Sequence, residues 1–134
     1  MIKALLAWLV LCLVCIADAK GDTIGAHLYT AHWSKHYNNV NTGLYYKTDT
    51  GLIAGIYLNS YDRPSAYVGM VVHSGPFEIV AGAATGYKGV CPKVCKTLTP
   101  MFVPSLALPL TGSSTLRLSA PNGQGVHLSL EYKL

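Results

Sequence analysis

Beyond residue 20, short apolar runs alternate with polar or glycine positions, and a turn signal interrupts them about every ten residues. No segment repeats its apolar residues at helical spacing. Period-two alternation bounded by Gly, Pro, Asn and Asp marks strands joined by tight connections. Eight strands are predicted, over residues 25–34, 43–49, 51–60, 65–74, 77–87, 101–110, 113–120 and 125–134. Thr48-Asp49-Thr50-Gly51, Asp62-Arg63-Pro64, Ser74-Gly75-Pro76 and Pro121-Asn122-Gly123 supply turns, and residues 88–100 form one long loop. The pattern specifies an all-β fold: a small antiparallel meander closed as an eight-stranded up-and-down barrel, with a soluble β-barrel or sandwich as the alternative.

Alternation also sorts the side chains by face. Leu52, Ala54, Ile56 and Leu58 share one face, as do Ala66, Val68, Met70 and Val72 in the next strand. Ile79, Ala81 and Ala83 continue that face, and Val126, Leu128, Leu130, Tyr132 and Leu134 complete it. The opposite face carries Tyr57, Asn59, Tyr67, Gly69, His73, Glu78, Gly82, His127, Ser129, Glu131 and Lys133. Such a chain has two physical solutions. Either the apolar face is the core of a soluble domain, or it meets lipid and the mixed face fills a barrel interior.

The first nineteen residues read as a secretory signal: Lys3, an apolar run from Ala4 to Ile16, then the small-x-small Ala17-Asp18-Ala19. The run falls short of the roughly 20 residues of a permanent span. Cys12 and Cys15 follow bulky Leu11 and Val14, unlike a lipoprotein cleavage site. Residues 20–134 are therefore expected to be one exported β domain, placed in the outer membrane, with the periplasm as the alternative.

Composition sharpens the choice between the two solutions. Only 12 % of residues are charged, which is sparse for a free-standing water-soluble surface. The net charge of +4 is scattered apart from Lys88, Lys93 and Lys96, so no contiguous nucleic-acid surface is expected. Low charge, abundant Tyr, and strands near the roughly 9–11 residues that cross a bilayer favour the membrane solution. Cys91 and Cys95 are the pair left after cleavage, and export predicts that they close a disulfide across one short loop. Thiol labelling of denatured, unreduced protein is expected to find neither free. Labelling of both would contradict the pairing.

Two groups of side chains carry candidate chemistry. His127, Ser129 and Glu131 project to one face of the last strand at successive steps of about 6–7 Å, offering base, nucleophile and acid. Their His-x-Ser spacing resembles that on a strand of the outer-membrane lipid A deacylases, although the wider motif of those longer enzymes is missing. Alternation alone produces the same series, so the non-enzymatic reading is preferred. Asn59, Ser60, Arg63, Ser65 and Tyr67 crowd one hairpin, either as a polar plug or as a contact surface for an outer-membrane lipid or envelope protein. His27, His36 and His73 show no ligand spacing, and no cofactor or metal site is expected.

The stretches Tyr37-Asn38-Asn39-Val40-Asn41-Thr42-Gly43-Leu44-Tyr45, Asn59 to Gly69, and Thr85-Gly86-Tyr87 resemble a group of small exported proteins of proteobacteria and tailed phages. That group carries Asn-Pro-Gly where this chain has Asn41-Thr42-Gly43, and a terminal Phe where it has Leu134. The resemblance implies a bacteriophage or prophage origin and brings no activity with it. The last strand, apolar at alternate positions up to Leu134, is similar to the C-terminal strand of outer-membrane proteins.

Overall fold

The computed structural model describes residues 21–87 and 98–134. The expected signal segment, residues 1–19, and the Cys91–Cys95 pair lie outside the described residues. Eight strands follow one another: β1 Thr23–His32, β2 Gly43–Lys47, β3 Leu52–Leu58, β4 Pro64–Ser74, β5 Phe77–Ala84, β6 Thr99–Pro109, β7 Ser114–Ser119 and β8 Gly125–Lys133. Each pairs antiparallel with the next, and β8 returns to β1, closing an eight-stranded up-and-down barrel. The expected fold class is the observed one. Closure leaves no edge strand unpaired, which a small β-protein must otherwise protect.

The two ends of the barrel differ. Chain ends and the connections at residues 48–51, 75–76 and 110–113 lie at one end. The longer connections at 33–42, 59–63 and 120–124, and residues 85–87 where the chain leaves β5, lie at the other, the last connection carrying a 3-10 turn at Pro121–Gly123. At the short end Gly51 N–H donates to Thr48 O at 3.0 Å, and Gly75 takes a positive φ of 59° that suits a two-residue turn.

The strands are uneven. β2 and β7 have 5 and 6 residues, shorter than alternation suggested, whereas β4 and β6 have 11 each. β6 also begins at Thr99, inside the segment expected to be loop, and takes Pro100 and Pro104 into a strand. The register explains their tolerance. β7 pairs with β6 only from Ser105 onward, so the earlier half of β6 has β5 alone as a ladder partner. Phe102, of the same parity as both prolines, sends its N–H to Asn122 Oδ1 at 2.9 Å on the side β7 has vacated. The two prolines point their nitrogens that way and forfeit no ladder bond.

Which face looks inward is settled by exposure. Val72 is 70 % exposed, Ile56 65 % and Met70 53 %, and Leu52, Val68, Ile79, Leu130 and Tyr132 share that outer surface. The mixed face points into the barrel, where Arg117, Ser129 and Glu131 are buried. Outward aromatics gather near the two rims: Tyr46, Phe77 and Tyr132 toward the short connections, and Tyr29, Trp33 and Phe102 toward the long ones.

Several tyrosines are interior rather than interfacial. Tyr45 is buried, and its cross-strand neighbours are Gly25 on β1 and Gly55 on β3; Gly55 in turn faces Tyr67 on β4. This Gly–Tyr–Gly–Tyr row lets each ring lie flat over an adjacent glycine. A Cβ on Gly55 would stand 2.7 Å from both Tyr45 Cβ and Tyr67 Cε1, and one on Gly25 would stand 2.0 Å from Tyr45 Cζ. Gly25→Ala is therefore expected to destabilise by about 1–3 kcal/mol in denaturant unfolding. Gly112→Ala, with open space around it, is the control and should change little. Equal effects would contradict the packing described.

Candidate functional site

The interior is layered. Toward the short connections, four charged side chains from four strands meet: Lys47 on β2, Glu78 on β5, Arg117 on β7 and Glu131 on β8. Arg117 Nη2 lies 2.8 Å from Glu131 Oε1 and also pairs with Glu78. Lys47 Nζ is 3.3 Å from Glu131 Oε1 and 3.5 Å from Glu78 Oε1. Tyr45 OH donates to Glu131 Oε1 at 2.9 Å. Two cations and two anions balance, which is the condition for keeping charges out of water. Because the partners come from β2, β5, β7 and β8, they bridge the barrel and close it at this level.

The next layer is built on a bulge. The β1–β8 register shifts between His27 and Tyr29, so Leu28 and Tyr29 both look outward while His27 and Thr30 both look in. His27 Nδ1 and His127 Nε2 then share a hydrogen bond of 2.8 Å. His27 Nε2 reaches Tyr67 OH at 3.1 Å, and His127 Nδ1 reaches Thr30 Oγ1 at 2.7 Å. Rings of Tyr45, Tyr57 and Tyr67 stand 4.8 to 5.7 Å from that of His27.

The long connections form the third layer. Asn39 Oδ1 can only accept, so His32 Nδ1 donates to it at 2.8 Å and His32 Nε2 accepts from Ser60 Oγ at 2.7 Å. Tyr57 OH and Tyr87 OH are 2.6 Å apart, and burial raises the Tyr87 phenol above its ordinary pKa. Trp33 Nε1 donates to Gly123 O at 3.0 Å, tying the first long connection to the last.

His127, Ser129 and Glu131 share the inner face, as alternation implies, but they do not assemble as base, nucleophile and acid. Both ring nitrogens of His127 are engaged by His27 and Thr30. Ser129 Oγ lies 3.3 Å from the Tyr45 hydroxyl, and Glu131 belongs to the ion quartet.

The hairpin group divides into parts. Asn59 is fully buried: its Nδ2 donates to Ser65 Oγ at 2.9 Å and Gly86 O at 3.0 Å, and its Oδ1 accepts from the N–H groups of Tyr61 and Arg63. It pins the 59–63 connection to the one after β5. Ser60 holds His32, and Tyr67 holds His27. Arg63 stands at the surface.

Arg117, Lys47, Tyr45 and Thr30 were not singled out from sequence, His27 was weighed only as a metal ligand, and Glu78 appeared only as a member of the mixed face. Arg117 did carry a signal, since Leu116-Arg117-Leu118 places one long cation at an inward position between two outward leucines. Among the described residues, no cluster of three or more His, Cys, Asp or Glu is placed to hold a metal.

Fold and interior together define the class: an eight-stranded β-barrel turned apolar side out, with a polar, charge-balanced interior. No protein-family model and no curated protein matches the chain. Among solved structures it is similar to the solution NMR structure of the de novo designed TMB2.3. That likeness has a TM-score of 0.54 at 14 % identity and covers 86 % of this chain and 94 % of the designed one. The chain is thus an eight-stranded barrel resembling a designed transmembrane β-barrel.

Proposed function

We propose that this protein is an outer-membrane-type barrel with a non-enzymatic role, either structural or as a surface that meets other envelope components. The observation that carries the reading is the inversion of its faces. Val68, Met70, Val72, Ile56 and Leu130 face outward while Lys47, Glu78, Arg117 and Glu131 are enclosed. A water-soluble barrel would be ordered the other way, because apolar surface leaves water at about 25 cal/mol per Å². A contiguous apolar belt of this kind matches a lipid environment.

Two further features support the same placement. Aromatic residues near both rims suit the headgroup levels of a bilayer. Short connections at one end and long ones at the other match the periplasmic and external sides of bacterial barrels. The long-connection end, with Trp33, Asn38, Tyr61 and Arg63, is then the surface offered to the exterior. The likeness to small exported proteins of proteobacteria and tailed phages fits an envelope location.

Expression followed by fractionation tests this. The protein is expected to pellet with outer membranes, resist carbonate extraction and change mobility on gels when unheated. Folded, monomeric protein in osmotic-shock fluid would overturn the membrane reading and leave the barrel fold intact.

A further inference from the structure

Above the ion quartet the barrel is not filled. A cavity of about 190 Å³ lies between Arg117 and the long connections. Its walls are of two kinds, the aliphatic side chains of Ile53, Val80 and Val103 and the rings of Tyr45, Tyr57 and Tyr67. It extends to Tyr61, Asn122 and Gln124, so a solute would come in from the end with the long connections.

Two of its lining groups are buried and unsatisfied among the described residues. Asn41 is 4 % exposed; its Nδ2 donates to Leu58 O at 3.0 Å, but its Oδ1 accepts from nothing. Arg117 is equally buried, and its Nε donates to nothing, although its terminal nitrogen is ion-paired. Buried groups left in this state are unfavourable unless something in the cavity meets them.

We infer that this cavity is a binding site for a small, neutral, hydroxylated aromatic molecule of the phenol class. Size comes first, because an apolar cavity of about 150 Å³ accepts benzene, and this one is somewhat larger. Aromatic walls favour a ring over a chain. Charge comes next: Glu78 and Glu131 already balance Lys47 and Arg117, so an ion would enter without a counter-charge and lose its water. The orphaned Asn41 oxygen asks for a donor and the orphaned Arg117 nitrogen for an acceptor, and a hydroxyl supplies either. An alkyl chain of the same volume leaves both unmet.

This inference goes beyond the membrane reading and does not depend on it. The test uses the mature protein folded in dodecylphosphocholine micelles, with labelled Ile and Val methyl groups, titrated with p-cresol, toluene and benzoate. Saturable shifts are expected at Ile53, Val80 and Val103 with p-cresol, while the outward methyls of Val68 and Val72 follow only micelle partitioning. Toluene and benzoate should each bind at least about tenfold more weakly, and Asn41→Leu should narrow the gap between p-cresol and toluene. Val80→Trp should abolish the saturable shifts while keeping the unheated gel mobility of the folded barrel. If that variant does not fold, Val103→Phe takes its place. Shifts that never saturate, equal binding of toluene, tighter binding of benzoate, or unchanged binding in the filled variant would overturn the proposal.

Discussion

Arg117→Met is expected to destabilise the barrel by about 3–5 kcal/mol, the largest effect of any single interior substitution proposed here. The size follows from what remains behind. Arg117 approaches both carboxylates more closely than Lys47 does, Glu131 at 2.8 Å and Glu78 on the other side, and its removal leaves two enclosed negative charges with Lys47 as their sole cation within the quartet. Lys47→Met should cost less, since Lys47 is farther from both acids and Arg117 would still pair with each. The pair Arg117→Met and Glu131→Gln should cost less together than the sum of the two singly, because the second change removes a charge that the first stranded. Denaturant unfolding of the unsubstituted protein and these four variants in the same detergent measures all three statements. Simple additivity would show that the quartet is not coupled.

Val68→Arg tests the outer face and is expected to cost about 2–4 kcal/mol if Val68 sits near the bilayer midplane. Its position within β4 supports that depth: it pairs with Ala54 on β3 and Ala83 on β5, away from both ends of the strand. The same substitution at Phe77, the first residue of β5, should cost roughly 0–1 kcal/mol, because a cation there reaches the headgroups. A soluble domain predicts no such dependence on depth: an arginine on an outer face that meets water would be tolerated at both positions. Unfolding from lipid vesicles gives the difference directly, and equal small effects would contradict a lipid-facing surface.

Much of this architecture was legible in the chain, and the reasons differ by feature. Alternation with turn residues located all eight strands, because one side chain in two must face the interior of a closed sheet and the glycine, proline and asparagine turns bound each run. The same rule grouped His127, Ser129 and Glu131 on one face and Val68, Met70 and Val72 on one face. It could not say which face closes inward, since closure is a property of the whole sheet; the charge deficit was the clue that pointed the right way.

The interior contacts were less accessible, for a physical reason. Lys47, Glu78, Arg117 and Glu131 meet because four registers, set by four different hairpins, bring them to one level, and no local spacing encodes that meeting. The bulge at Leu28 hid the pairing of His27 and Thr30 with His127, because an extra residue breaks the alternation on which face assignment depends. Pro100 disguised the start of β6 as loop, although Pro104 was already placed in the strand, an error that knowing the short reach of β7 would have removed. Abundant tyrosine suggested membrane interfaces in general, while alternation put Tyr57 and Tyr67 on the mixed face; the glycines opposite Tyr45 and Tyr67 make room for those two rings inside.

If the apolar face meets lipid while the polar face is enclosed, methyl contacts to detergent reveal it without altering the protein. In micelles whose acyl chains alone are protonated, nuclear Overhauser effects from the chains should reach the methyl groups of Ile56, Val68, Val72 and Leu130. They should not reach Ile53, Val71, Val80 or Val103. Chain contacts at the second set, or none at the first in a barrel that folds in plain buffer, would contradict the account.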